Sequence, residues 1–253
     1  SKVGEVMKEI LRVNNLSFGY DDNQVLKNLN LTINEGDFVA IIGENGSGKT
    51  TLFKLIINEL IPQEGEIYLF GTNVNQLKDW TKVGYVAQTP MQYSDFPATV
   101  KEIVRANLFS KMGRFQFYNK EHTELTIQAL KKVNMEDNLN RQFSKLSRGQ
   151  QQRVMIARVM INQPKIMFLD EPTAGVDVNA IDGIYHLLKQ LNEQEKVTIC
   201  IITHDVAKIG QFASRVICIE NKDAYELSKE EIQNEIYYRH RHNVRTLQKG
   251  RTE

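Results

Sequence analysis

Residues Gly43–Thr50 read GENGSGKT and satisfy the spacing G-x-x-x-x-G-K-[ST]. The flanks supply the context that spacing requires. Asp37–Ile42 (DFVAII) is a short, nearly continuous apolar run, the pattern of a strand covered on both faces. Lys49–Asn58 then carries Leu52, Phe53, Leu55, Ile56 and Ile57, the spacing of a largely buried helix. Glycines between a strand and a helix let the backbone curl until successive N–H groups point inward at phosphate oxygens. The helix adds the positive end of its dipole at the same place. Gly43, Asn45, Gly46, Ser47, Gly48 and Thr51 are therefore candidate phosphate-loop residues. Lys49 is expected to reach the β- and γ-phosphates of ATP, and the Thr50 hydroxyl to ligate Mg²⁺.

Such a loop needs an α/β frame, and the rest of the chain reads as one. Leu11–Tyr20 and Val25–Ile33 alternate apolar and polar residues with period two, as half-buried strands do. Helical periodicity dominates from about Ser94 to Ile161, over Val100–Phe109, His122–Val133 and Gly149–Met160, with Pro90, Pro97 and Pro164 as punctuation. Strand patterns return at Ile166–Leu169, Val197–Ile202 and Arg215–Ile219, with a helix over Ala180–Leu191. Strand, helix, strand at these lengths predicts right-handed crossovers in a parallel sheet. The expectation is a single domain over 1–253, its core at about 7–89 and 162–222, interrupted by a helical subdomain at about 90–161. A charged tail occupies about 223–253.

Ile166–Glu171 (IMFLDE) is an apolar strand ending in two adjacent carboxylates, which point opposite ways and can take separate tasks. Asp170 is a candidate for the Mg²⁺ shell and Glu171 for polarising the attacking water. Leu146–Arg153 (LSRGQQQR) offers a Ser hydroxyl and a Gly N–H at the positive end of the next helix, a second phosphate-binding device built from Ser147, Gly149 and Gln150. Taken alone, Ser147 reads equally well as an ordinary helix N-cap. A monomer has no evident need of two such devices. Two copies facing head to tail, each offering this segment to the other's ATP, would use both.

With these segments in this order, the chain resembles the nucleotide-binding subunit of an ATP-binding cassette (ABC) transporter, from roughly Leu11 to Ile219. The resemblance rests on GENGSGKT, LSRGQ, the MFLDE strand and the later His204. It implies the P-loop NTPase fold of ABC ATPases: α/β, a mixed sheet core with antiparallel N-terminal strands and an inserted helical subdomain. It also implies roles that the residues alone leave open. Tyr20, otherwise a strand-end tyrosine, resembles the aromatic that stacks on adenine. Gln88 in YVAQ resembles the hinge-loop glutamine that touches Mg²⁺ and senses the γ-phosphate, and Asp177 in AGVD resembles the loop that couples two facing sites. His204 resembles the switch histidine on the γ-phosphate. Arg148 departs from the pattern, standing where the family most often has the first of two glycines, while Gly149 is retained.

Several features narrow the reading within the family. The longest apolar runs are far short of the about 18 residues that span a bilayer. Any permease is thus expected as a separate polypeptide, with this chain held peripherally at the cytoplasmic face of the membrane. The span between Gln88 and Ser147 suits a compact helical subdomain and not a long coiled-coil insertion. Phe96–Val104 and GQQQRVMIAR…DEPTAGVD look similar to ATPases of zinc and manganese importers, with zinc slightly ahead; iron-chelate and cobalamin importers share parts of the pattern. The partners so implied are a second copy of the chain, permease subunits and an extracellular or periplasmic metal-binding protein. A soluble ABC ATPase of the iron–sulfur assembly type is the competing reading, and a small-molecule P-loop kinase would leave LSRGQ without a task. A net charge of +1 argues against a nucleic-acid partner. Cys200 and Cys218 sit in apolar stretches, so no disulfide is expected and a reducing compartment is. No secretory signal is evident, and Met7 suits a natural start preceded by an added Ser1–Val6.

The tail divides by charge: Asp223, Glu226, Glu230, Glu231 and Glu235, then Arg239, Arg241, Arg245, Lys249 and Arg251. It reads first as two solvated segments, with a basic stretch near an anionic membrane as the sharper alternative. His240 and His242 form a His-x-His pair with too few ligands for a closed zinc site.

Overall fold

The computed structural model of the chain describes residues 8–88, 97–111 and 119–235. Period-two alternation produces a long antiparallel hairpin of β1 (Glu9–Tyr20) and β2 (Asn23–Asn34), paired from Glu9 opposite Asn34 to Tyr20 opposite Asn23. The strands β4 (Glu64–Leu69) and β5 (Thr72–Asn73) extend it into a four-stranded antiparallel sheet of order β2-β1-β4-β5. A second, six-stranded sheet is built around three fully buried strands, β3 (Phe38–Ile42), β7 (Ile166–Asp170) and β8 (Thr198–Ile202). With β6 (Val83–Val86), β9 (Arg215–Glu220) and β10 (Asp223–Glu226), its order is β10-β9-β3-β8-β7-β6. All of its pairings are parallel except that of the edge strand β10.

The continuous apolar runs of the central strands are explained by what each face meets. Phe38, Ala40, Ile42, Met167, Leu169, Ile199 and Ile201 point into one hydrophobic cluster, and Val39, Ile41, Ile166, Phe168, Cys200 and Ile202 into another. The second cluster includes the β1–β2 hairpin and Leu52, Phe53, Leu55 and Ile56 of α1 (Lys49–Ile56), so α1 is packed between the two sheets. The first cluster is covered by α2 (Val100–Arg105), α3 (Lys120–Lys131), α4 (Arg148–Met160), α5 (Val178–Gln194) and the short α6 (Val206–Ile209). Burial on both faces removes the alternation that marks a one-sided strand.

The expected α/β architecture holds, with the antiparallel N-terminal strands forming a sheet of their own. The helix expected over Val100–Phe109 ends at Arg105 and tightens into 3₁₀ turns over Ala106–Lys111. There the Asn107 carbonyl accepts from Asn162 Nδ2 at 3.0 Å. The acidic tail segment is not simply solvated, because its first residues form β10 and Arg215 holds Glu226 through Nε at 3.0 Å and Nη2 at 2.9 Å. The basic tail residues, His240 and His242 lie outside the described residues. Cys200 and Cys218 are buried, and neither forms a disulfide among the described residues.

Phe168 ties the central sheet to the helix behind the phosphate loop: it is fully buried and meets Phe53 edge-on at 5.1 Å. Phe168→Ala is expected to lower the unfolding free energy by about 3–5 kcal/mol, measured by urea denaturation, through lost burial and the cavity left behind.

Candidate active site

The parallel register brings the carboxyl ends of four strands level. Ile41 lies abreast of Ile202, Asp170 abreast of Ile202, and Val86 abreast of Leu169. The residues that follow, Gly43 after β3, Gln88 after β6, Glu171 after β7 and His204 after β8, therefore emerge along one edge of the sheet. Ligand sites of open α/β sheets lie at such edges.

The loop between β3 and α1 has the geometry that its glycines allow. Gly48 caps α1 with φ +102°, and a Cβ there would stand 2.8 Å from side-chain carbons of both Val25 and Leu26. No L side chain fits that combination of conformation and closeness. Lys49 is buried, and its ammonium donates to the carbonyls of Gly43 at 3.0 Å and Glu44 at 2.7 Å, which places the charge across the loop. The hydroxyl oxygen of Ser47 is buried without a hydrogen-bond partner. An orphaned hydroxyl inside a ring of amides fits a phosphate oxygen, since burial without a partner is costly.

Tyr20, Val25, Asn45, Gly46, Gly48, Lys49, Thr50, Thr51 and Glu171 line a cleft of about 450 Å³ above this loop. Tyr20 is 46% exposed, braced edge-on against Phe18 at 5.0 Å, with its hydroxyl 3.5 Å from Thr51 Oγ1. An exposed, braced ring at the rim of a cleft is suited to stack on a planar ligand. Val25 was not singled out in the sequence, where its place at the start of an alternating strand marks only half-burial.

Thr50 Oγ1 donates to Asp170 Oδ2 at 2.8 Å, so the two oxygen donors expected around a magnesium ion adjoin. Hard oxygen ligands of this kind suit Mg²⁺. Asp170 is 4% exposed, and burial raises its carboxyl above the ordinary value. The Thr50 hydrogen bond opposes that rise, while the charge of Glu171 adds to it. Glu171 lies between two further site residues: Gln88 Nε2 donates to its Oε2 at 3.2 Å, and His204 Nε2 lies 2.5 Å from its Oε1. Its backbone is left-handed, with φ +46°, and its N–H donates to the Ile202 carbonyl at 3.0 Å. A non-glycine residue in that region is held by its surroundings, a feature concentrated at functional sites.

Ser147, Gly149, Gln150 and Asp177 are not among the residues lining that cleft. Ser147 is exposed and caps α4 in a reciprocal pair: its oxygen accepts from Gln150 N at 3.3 Å, and Gln150 Oε1 accepts from Ser147 N at 3.0 Å. The ordinary N-cap reading is thus realised within the chain, and the helix end remains turned outward. Gly149 is buried, and a Cβ there would stand 3.1 Å from Ala180 Cβ and 3.6 Å from Val176 Cγ1. Close packing against the start of α5 is therefore a second reason for glycine at that position. Arg148 occupies the first turn of α4, partly exposed. Asp177 is the exposed N-cap residue of α5, with no hydrogen bond from its side chain to the helix end.

Because the folded protein holds a proton on Asp170 more tightly than the unfolded chain does, its ionised form costs stability. That stability is fully present below the ordinary Asp value and is lost as pH rises through the folded-state value. Asp170→Asn is accordingly expected to raise the melting temperature of the nucleotide-free protein at pH 7–8. The difference should vanish as pH falls below about 3.9, the ordinary Asp value, in melts recorded across pH by circular dichroism.

Comparison with known proteins gives concordant results. The family described as ABC transporter matches residues 26–174. The zinc uptake system ATP-binding protein ZurA of Listeria innocua is 42% identical over 229 residues, covering 90% of this chain and 89% of that protein. The manganese transport system ATP-binding protein MntB of Halalkalibacterium halodurans is 35% identical over 217 residues, covering 86% and 85%. Among solved structures, the ATP-binding cassette MJ0796, described as dimeric in a post-hydrolysis state with ADP and Pi, aligns with a TM-score of 0.71. It is 32% identical and covers 87% of this chain and 99% of that one.

Proposed function

Because the chain belongs to the ABC transporter family as an ATP-hydrolysing subunit, we propose that it powers import of a metal ion through a separate permease, zinc ahead of manganese. The observation that carries this reading is the 42% identity, over nine-tenths of the chain, with a protein described as a zinc uptake ATP-binding subunit. No helix among the described residues is long and apolar enough to cross a membrane. The path for the metal accordingly belongs to permease subunits, with an extracellular or periplasmic metal-binding protein delivering the ion. The chain acts at the cytoplasmic face of the membrane, held there by the permease.

In the proposed mechanism, Tyr20 stacks on adenine. The amides of Gly43–Thr51, the Ser47 hydroxyl and Lys49 take the phosphates. Thr50 and Asp170, with Gln88 nearby, supply the oxygen donors that would hold Mg²⁺. When bound there, the ion would withdraw charge from the β- and γ-phosphate oxygens. Glu171 takes a proton from the attacking water as the water oxygen bonds to the γ-phosphorus and the bond to ADP breaks. His204 orients Glu171 and faces the departing phosphate.

A second copy completes the site by presenting Ser147, Gly149, Gln150 and Asp177 to the γ-phosphate, since these residues do not line their own chain's cleft. ATP thus bridges two copies head to tail, and hydrolysis removes the bridge. Closure is a two-state element biased by the γ-phosphate. The helices α2, α3 and α4, hinged near Gln88, pass the motion to the permease.

Glu171→Gln is expected to bind ATP with near-parental affinity, lose at least about a hundredfold in turnover, and accumulate a dimer in size-exclusion chromatography with ATP. Parental turnover in that variant removes Glu171 from its role. Cells lacking the protein should show reduced uptake of zinc, and next of manganese, in isotope assays. Uptake unchanged for both metals overturns the substrate assignment.

A further inference from the structure

The segments that carry Glu171 and His204 meet beneath the site at a buried phenol that the mechanism does not use. Tyr185, on α5, is fully buried and lies outside the cleft. Its hydroxyl is 3.0 Å from Thr203 Oγ1, one residue before His204. Thr203 is itself 2% exposed; its Oγ1 accepts from Asp205 N at 3.1 Å, so the hydroxyl organises the turn on both sides of His204. The side chain of Thr173, two residues after Glu171, acts on the phenol in the opposite sense to burial, lowering its pKa. The phenol therefore meets the chain just before His204, and Glu171 is tied to the same stretch because its N–H donates to Ile202 O at 3.0 Å.

The ring itself is fixed. It stacks on Phe212 at 5.5 Å with an interplanar angle of 24°, and Phe212 meets His186 edge-on at 5.0 Å. A hydroxyl partner inside apolar packing makes a stringent positional constraint, since a displaced phenol would leave buried polar groups unpaired. Burial raises the Tyr185 hydroxyl above its ordinary value, so it stays neutral and able to donate across the working pH range. Tyr185 also shares a continuous helix with Asp177, eight residues earlier and about 12 Å along the axis.

We propose that Tyr185 is a positioning residue for hydrolysis, whose hydroxyl fixes the relative placement of Glu171 and His204 and ties both to the helix that begins at Asp177. This rests on the reading that Glu171 activates water beside His204. Tyr185 is buried and does not line the cleft, so it acts on the catalytic step without contributing to ATP affinity. Small displacements of reacting groups are costly in rate, with about 1 Å worth up to about a hundredfold.

The test compares the full chain with Tyr185→Phe, Thr203→Val, the double variant and Glu171→Gln, at a temperature well below all melting points. Tyr185→Phe keeps the stacked ring and removes only the hydroxyl. Its kcat for ATP hydrolysis should fall about tenfold, with KM and the affinity for a non-hydrolysable ATP analogue within about twofold of the parent. Thr203→Val should also lower kcat, and the double variant should lose clearly less than the product of the two single losses, because the contact they share is lost only once. A kcat for Tyr185→Phe within twofold of the parent overturns the inference, as does a loss appearing wholly in KM or analogue affinity. Multiplicative losses in the double variant do the same. Should either variant fail to fold, the other still carries the kcat and KM comparison. Parental turnover in Glu171→Gln would instead sink the underlying reading, so the two failures are distinguishable.

Discussion

The parallel pairing of β3, β8 and β7 is the constraint on which the rest of the site depends. Hydrogen bonds between the strands put Ile41, Ile202 and Asp170 abreast, and everything chemical follows within a few residues of that line. Lys49 and Thr50 reach it through the glycine loop, Glu171 directly, and His204 one residue past Thr203. Gln88 joins the same edge because β6 pairs in parallel with β7. Since side chains alternate along a strand, a slip of one residue in either central pairing would reverse every inward and outward position beyond it. Register is protected because each of the three strands is buried throughout, its apolar side chains divided between two clusters of different composition.

The innermost charges at that edge, Asp170 and Lys49, are held with little solvent to help. Asp170 is buried and raised by desolvation, yet it accepts from Thr50 and feels Lys49. Such a carboxylate gains from a cation, and a cation bound there gains from two hard oxygen donors already in contact. Lys49 folds back onto the Gly43 and Glu44 carbonyls, which keeps its charge close to the loop. The residues proposed to capture nucleotide are thus partly organised within the chain, while the capping pair at Ser147 faces outward.

Legibility in the sequence varied with how much each segment owes to its own residues. GENGSGKT, IMFLDE and the run before His204 combine unbroken apolar strands with polar residues at their ends, so strand and site residue are marked together. The strands β4, β6 and β10 escaped notice for local reasons. Glu64, Gly65 and Glu66 leave half of β4 exposed, β6 holds four residues including Gly84, and β10 is a polar edge pair. Their strand character comes from partners distant in sequence. Periodicity over 100–109 does not mark where α gives way to 3₁₀, because the two differ little over a few residues.

The sequence by itself determined the phosphate loop, the paired carboxylates, the α/β class and the family, because each is a short-range pattern whose chemistry depends on residue type and spacing. Only the tertiary structure decided which groups act together. Gln88 and His204 converge on the two oxygens of Glu171, Asp170 meets Thr50 from 120 positions away, and Tyr185 reaches Thr203 from a neighbouring helix. Those contacts arise from strand register and helix packing, and no local pattern encodes them. Tyr185 makes the point most clearly: along the chain it is one more apolar position on an amphipathic helix, and its hydroxyl acquires meaning only from what the fold places against it.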